Sequence, residues 1–496
     1  MTISNAQFTA WLKDPGVSRV VLVEVTVGLN GGGTQTRYLS DKGYTSSPSD
    51  TPANTYYQPR ITGSLQITRS IDATNNGALS QTFGDLALNN IDGALDSWFN
   101  DYWVNRAITY FVGDPSWARS DFRQVFAGVC GGIDTSDRTS FNVLISDKLQ
   151  RLNTTISETT LGGSTSLADN LLPLLFGECF NISPLLTNAS TNEYMVHNGP
   201  IERIIEVRDN GVPVSFTPSL STGKFTLTNQ PYGTITCSVQ GAKPSGVYSN
   251  TAAALVKLLI TSYGSVVGNR FTTGELDTAT FTAFDTAHPQ PVGVYLSDRQ
   301  NVLDICNQLL QSLGAQLFVD SSGLVSIVQL NLPQSLPGTS VGIADMQDRT
   351  LTIKTLCPVV ASVKLGYDKN WTVQSQLAGG LDQGSAALFM QEYLMVTQKD
   401  TTAAANYNLY TDPQQIDTLL VVGSDATIEC TRRLNIFNVQ RKVITYQGFY
   451  HLIFEQLGSP QTLTHPRFGL SGGVTGQIVS IAVDYLSPTV TFEVLV

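Results

Sequence analysis

The chain has 496 residues, too many for one hydrophobic core, so several domains are expected. Hydrophobic residues make up 42% and charged residues only 14%, well under the roughly 25% of an average domain, so Thr, Ser, Asn and Gln must supply much of the polar surface. A net charge of −11 argues against a protein that grips nucleic-acid phosphates or an anionic membrane through basic residues.

Residues 1–150 read mostly as strand. Val20-Val-Leu-Val-Glu-Val-Thr-Val27 is a β-branched run suited to a buried sheet, broken by Asn30-Gly-Gly-Gly33. Tyr44 to Tyr57 has loop composition, Ile61 to Ile71 alternates, and Gly84 to Gly93 is strand then turn. A short amphipathic segment, Ala94 to Tyr102, precedes strands at Ala107–Val112 and Phe122–Gly128. A β-barrel-like domain with one short helix fits this pattern.

Residues 151–245 form a small β-rich unit. Leu167 to Phe176 is apolar enough for a short helix limited by Pro173, and strands are expected at Ile201–Arg208, Lys224–Leu227 and Gly233–Val239. Residues 246–337 are an α+β unit. Asn250 caps a helix running to about Tyr263, with Leu255, Leu258 and Leu259 inward. Ser297 and Gln300 read as a capping box for a second helix, with Val302, Ile305, Cys306, Leu309 and Leu313 on one face and Gly314 as its stop. Ala315–Val319 and Leu324–Leu330 then make a hairpin about the turn Asp320–Gly323, and Pro333 and Pro337 mark a linker.

Residues 338–496 form a second β-barrel-like domain with one helix. Strands are expected at Val359–Leu365, Val443–Gln456, Gly476–Tyr485 and Thr489–Val496, with a helix over Asp425–Phe437. The predicted fold class is therefore mainly β with α+β insertions, with β-barrel-like domains at both ends and mixed α/β units between.

Catalytic signals are weak throughout. His197, His288, His451 and His465 are scattered, without H-E-x-x-H, so each reads as structural and no metal site is assigned. Cys130, Cys179, Cys237, Cys306, Cys357 and Cys430 lack C-x-x-C spacing and read as small buried hydrophobes. Gly469-Leu-Ser-Gly-Gly473 spells a nucleophile-elbow pattern, but a β-run follows where an elbow needs a helix. The acidic pairs Asp92/Asp96 and Glu202/Glu206 are of a kind that element surfaces carry routinely. Asn153-Thr-Thr155 and Asn181-Ile-Ser183 match the glycosylation pattern, which is idle without a secretory route. Arg432-Arg433 and Arg441-Lys442 read as a solvated basic face. The N-terminus lacks a signal-peptide pattern and no apolar run is long enough to span a bilayer, so synthesis in a cytoplasm is expected. No catalytic residue, cofactor site or enzymatic activity is assigned; an assembly component remains.

Three stretches together resemble the tail hub (baseplate hub or tail tip) proteins of tailed bacteriophages. They are Asp298 to Leu330; Leu365-Gly-Tyr-Asp-Lys-Asn-Trp-Thr372 with Met390-Gln-Glu-Tyr-Leu-Met-Val396; and Leu457-Gly with Leu463 to Leu470 and the ending Gly476 to Val496. Gly84 to Gly93, Val112-Gly-Asp114, Phe126-Ala-Gly128, Phe176 to Pro184 and Val196 to Pro200 add turn and packing patterns of the same kind. The resemblance implies a homotrimeric ring at the virion tail tip, made in the host bacterial cytoplasm. Each chain would carry two tube-like β-domains, adapting a sixfold tail tube to a threefold tip and lining the DNA exit channel. Implied partners are the distal tail protein, the tape measure protein and a central fibre or spike protein. The competing readings are a distal tail protein or receptor-binding tail component and, lower, a glycan-binding adhesin or glycan-active enzyme.

Overall fold

The computed structural model describes residues 3–14, 16–72, 79–164, 166–332, 338–410, 412–487 and 489–496. The linker expected at Pro333 and Pro337 lies outside the described residues. The architecture is mainly β with several sheets, as the patterning predicts. The chain folds as two compact units. One is Met1–Arg151, Phe318–Pro358 and Gln440–Val496; the other is Leu152–Leu317 and Val359–Val439.

The first unit holds two eight-stranded sheets. In one, the spatial order is Tyr44–Thr45, Tyr56–Pro59, Thr34–Ser40, Val20–Gly28, Ala107–Gly113, Arg123–Asp134, Ser140–Ser146 and Leu86–Asn89. Val20–Gly28 sits near its centre, and this explains the unbroken apolar run. Val21, Val23, Val25 and Val27 enter the main core, while Val20 and Leu22 pack on Tyr44, Tyr57 and Phe122 on the opposite face. Glu24 shares that second face, where Arg119 (2.7 Å) and the Tyr57 hydroxyl (2.5 Å) both donate to its carboxylate.

The other sheet runs Thr339–Val341, Pro460–Leu463, Val474–Asp484, Thr489–Leu495, Lys442–Phe449 and Thr352–Leu356. Its remaining two strands come from the N-terminal part of the chain. Gln66–Ile71 pairs antiparallel with Val474–Asp484, Ser70 opposite Ser480 and Gln66 opposite Asp484, and Leu79–Phe83 pairs on its outer side. Each end of the chain thus contributes to this second sheet. The expected strand over Val443–Gln456 is shorter than predicted: it ends at Phe449, and Tyr450–Leu452 turns as a 3-10 helix. The turn buries Tyr450, whose hydroxyl donates to the Tyr485 carbonyl at 3.1 Å.

The second unit contains a five-stranded sheet ordered Val212–Pro213, Ile201–Asp209, Ile235–Ala242, Leu174–Ile182 and Gly293–Leu296. A four-stranded sheet ordered Leu185–Asn188, Glu193–Met195, Lys224–Leu227 and Phe216–Ser219 shares its core through Tyr194, Phe225 and Val239. A three-stranded sheet of Leu394–Lys399, Ser362–Tyr367 and Gln415–Asp417 carries the helix Gly423–Phe437, with Cys430 and Leu434 on Val363 and Leu365.

Three expectations for this unit change. Residues from Leu167 to Phe176 are not a helix: turns reach Asn170 and a strand begins at Leu174. Pro173 cannot donate to a helical ladder, and Leu174–Ile182 satisfies its backbone by pairing with strands on both sides. The helix expected to start at Ser297 starts at Val302, with Asn301 as N-cap and no side-chain cap bond. The backbone just ahead is already engaged, since Ile156 N–H donates to Gln300 O (2.9 Å) and Val302 N–H to Thr154 O (3.0 Å). The helix expected to be capped by Asn250 runs over Ala252–Ser262 with Thr251 at the cap; Leu255 and Leu259 are buried and Leu258 is half-buried. Gly314 closes the Val302–Gln311 helix at φ +64°, as its position predicts.

Candidate functional site

The feature with functional geometry is the joined pair of eight-stranded sheets. Their cores are continuous: Val23, Ile108 and Phe141 from one sheet belong to the same buried cluster as Ile444, Ile478 and Phe492 from the other. Polar contacts bind the chain ends at the junction. The Tyr485 hydroxyl donates to Val125 O at 3.0 Å, and Leu65 N–H donates to the Asp484 carboxylate at 3.1 Å across 419 positions of sequence. Tyr110 meets Tyr485 edge-on with ring centroids 5.6 Å apart, and Phe8 meets Phe454 at 5.8 Å.

The free edges of the two sheets differ. In the first sheet, Leu86–Asn89 is flanked by Arg60–Thr62, where Thr62 N–H donates to Ala87 O and Asn89 N–H to Arg60 O. In the second, Thr352–Leu356 pairs with Lys442–Phe449, the only strand on it among the described residues, and four of its five residues are exposed. An exposed edge of this kind is a template for another strand, here tempered by the charge of Lys354 on Glu493 at 2.5 Å.

The residues singled out in the sequence do not come together in a catalytic arrangement. Asp92 takes a bidentate hydrogen bond from Arg60 (3.0 and 2.8 Å), while Asp96 accepts from Asn90 at 2.8 Å. Glu202 pairs with Lys243 and Glu206 with Arg208, each at 2.7 Å. His197 is buried, and its Nδ1 accepts from Leu175 N–H at 2.9 Å; burial lowers its pKa to about 4, so the ring is neutral. His451 contacts Asp345 at 3.0 Å, His465 Nδ1 accepts from Arg467 N–H, and His288 packs on Phe284. Gly469–Gly473 lies in the connection between Pro460–Leu463 and Val474–Asp484, a strand-to-strand turn. All six cysteines are free and buried. Among the described residues no group of three or more His, Cys, Asp and Glu is placed to hold a metal, and no helix is long and apolar enough to cross a membrane.

The basic run is corrected. Arg432 and Arg433 do not form a solvated face: both clasp Glu429, at 2.7 and 2.6 Å, and Arg433 and Glu429 are each about 3% exposed. Arg441 is buried as well. Helical spacing carries the signal, since Glu429 stands three and four positions before the two arginines.

A cavity of about 220 Å³ in the second unit also escaped the sequence reading. Phe180, Phe389, Tyr393 and Leu394 give it apolar walls, and Asn181, Glu206, Arg208 and Asp368 give it polar ones. Asn181 and Asp368 hold left-handed backbone, at φ +53° and +51°, conformations that Asn and Asp tolerate better than other non-glycine residues. Such residues read as ordinary turn positions in a sequence.

Neither a scan against protein-family models nor a search of curated proteins returns a match. Among solved structures, the chain is similar to tail and virion proteins. One is the 43 kDa tail protein of prophage MuSo2 from Shewanella oneidensis (11% identity, TM-score 0.37, covering 96% of this chain and 98% of that one). Another is the tail protein from Neisseria meningitidis MC58 (9% identity, TM-score 0.40, covering 97% of each chain). A third is a chain of a native gene transfer agent virion (12% identity, TM-score 0.42, covering 70% of this chain and 91% of that one).

Proposed function

We propose that this chain is a structural, non-enzymatic virion protein that forms the hub ring at the distal end of a bacteriophage tail. The observation that carries the reading is the pair of eight-stranded sheets fused into one compact unit. A ring that docks on a sixfold tube needs six near-equivalent edges, and a homotrimer supplies them when every chain holds two such modules. In this reading the two modules are the sheet built from residues within 1–150 and the sheet built from Thr339–Leu356 and Lys442–Leu495, which Gln66–Ile71 and Leu79–Phe83 complete. The small β-rich domain 151–245 and the α+β domain 246–337 follow the first module in the sequence. The distal tail protein lies above, the tape measure protein inside, and a central fibre or spike protein closes the tip. The net charge of −11 suits a lumen through which DNA passes without adhering.

The test is negative-stain imaging of the chain co-expressed with the distal tail and tape measure proteins of the same virus. The expected particle is a ring with threefold symmetry and an open centre. A ring of six chains would instead make this a distal tail protein. A compact monomer in the presence of those partners would refute both ring assignments and turn attention to glycan binding.

A further inference from the structure

The cavity in the second unit holds polar groups that its own neighbours leave unsatisfied. Asn181 is 6% exposed, and its Nδ2 donates to Asn370 Oδ1 (2.7 Å) and Thr372 O (2.9 Å). Two acceptors on that side fix the amide orientation and leave Oδ1 as the free end. That Oδ1 is buried and has no hydrogen-bond partner, and neither has the buried Oδ1 of Asp368. Arg208 is paired with Glu206: its guanidinium donates to Glu206 (2.7 Å) and Gly211 O (2.8 Å) and lies 5.0 Å over the Phe389 ring. The charged groups lining the cavity are Glu206, Arg208 and Asp368, which leaves one uncompensated carboxylate. Burial first, and then the charge of Glu178, raise the pKa of that carboxylate.

We propose that this cavity is a binding site for a primary alkylammonium group. The ammonium donates to Asp368 Oδ1 and Asn181 Oδ1, and its aliphatic stem lies on the Phe389 and Tyr393 walls. An ammonium carries donors only, matching a pair of unpartnered acceptors, and its charge balances Asp368. The volume of about 220 Å³ accommodates a short unbranched chain and excludes a folded domain. A lysine side chain of a partner protein and a free diamine both present this chemistry.

The test is calorimetric titration of the full chain with n-butylammonium at pH 7, with butan-1-ol as the uncharged control. Saturable binding of the amine, absent for the alcohol, is expected. Asp368→Asn keeps a residue that tolerates the left-handed backbone but removes the charge, and should weaken binding by roughly tenfold or more. Leu388→Trp adds bulk at the exposed rim while retaining Asn181 and Asp368, and should weaken binding too. If Asp368→Asn fails to fold, the Leu388→Trp result decides. No saturable binding to the native chain, equal binding of the alcohol, or unchanged binding in a folded variant would overturn the proposal. Capped lysine amide and 1,4-diaminobutane separate the sources: tighter binding of the first points to a partner's lysine, tighter binding of the second to a free diamine, and either supports the site.

Discussion

Glu429 shows how charge is handled inside this protein. Burial alone would raise its pKa, but hydrogen bonds and charge from Arg432 and then Arg433 outweigh burial and hold it below the ordinary glutamate range. Glu429→Gln leaves two guanidinium groups without their counterion, Arg433 fully buried among them. Removing one partner of a buried ion group costs about 3–5 kcal/mol, which a denaturant midpoint at constant slope would register. The folded pKa lies below the unfolded one, so this contribution is present above the usual glutamate pKa and is lost as pH falls through the folded value.

His197 has the complementary behaviour. Its folded pKa of about 4 lies below the ordinary 6.5, so the unfolded chain takes up a proton between these values that the folded chain refuses. Its contribution is complete above 6.5 and falls by about 1.4 kcal/mol per pH unit down to about 4. Urea unfolding at pH 7 and pH 5 should show the loss, and His197→Gln, which retains an acceptor for Leu175 N–H, should abolish that part of the pH dependence. An unchanged pH dependence in the variant would show that another group is responsible.

At the scale of elements, strand Gln66–Ile71 is the test of how the first unit is built. Thr68 lies opposite both Ala482 and Thr82, in the interior of the sheet. Thr68→Pro removes a ladder donor there and should destabilise by about 3 kcal/mol or more. Its signature is remote: hydrogen exchange should accelerate in Val474–Asp484, at the other end of the chain. Protection unchanged in that strand would contradict the pairing. Gly177 makes a second element-scale case. It has φ +68°, and a Cβ there would sit 1.9 Å from Val292 O, where Leu174–Ile182 meets Gly293–Leu296. Gly177→Ala should therefore destabilise by about 2 kcal/mol or more, read as a drop in the thermal midpoint.

The same elements mark what the sequence makes legible. The helix Val302–Gln311, its glycine stop and the hairpin turn at Asp320–Gly323 follow from local periodicity and turn chemistry, and all are present. Leu167–Phe176 misleads because apolar content alone does not separate a helix from a strand paired on both sides. The Ser297 cap is lost to a bridge with residues near Thr155, and the paired strands Gln66–Ile71 and Leu79–Phe83 join a sheet hundreds of positions away. Neither pairing has a local signature. The β-rich ends were readable from alternating residues; their fusion into one core and the cavity around Asn181 depend on contacts distant in sequence.

Each chain holds two eight-stranded sheets, and the assembly follows from that number. Two modules in one chain have a structural use where a threefold body meets a sixfold one. Thr352–Leu356 is an exposed edge among the described residues, and Lys354 with Glu493 puts charge on it. The measurement that tests this most directly is the native mass of the particle formed with its tail partners, resolved into the number of copies of this chain. Three copies of the 53.6 kDa chain per ring are expected. Six copies, or a single copy that stays monomeric with those partners present, would contradict that expectation.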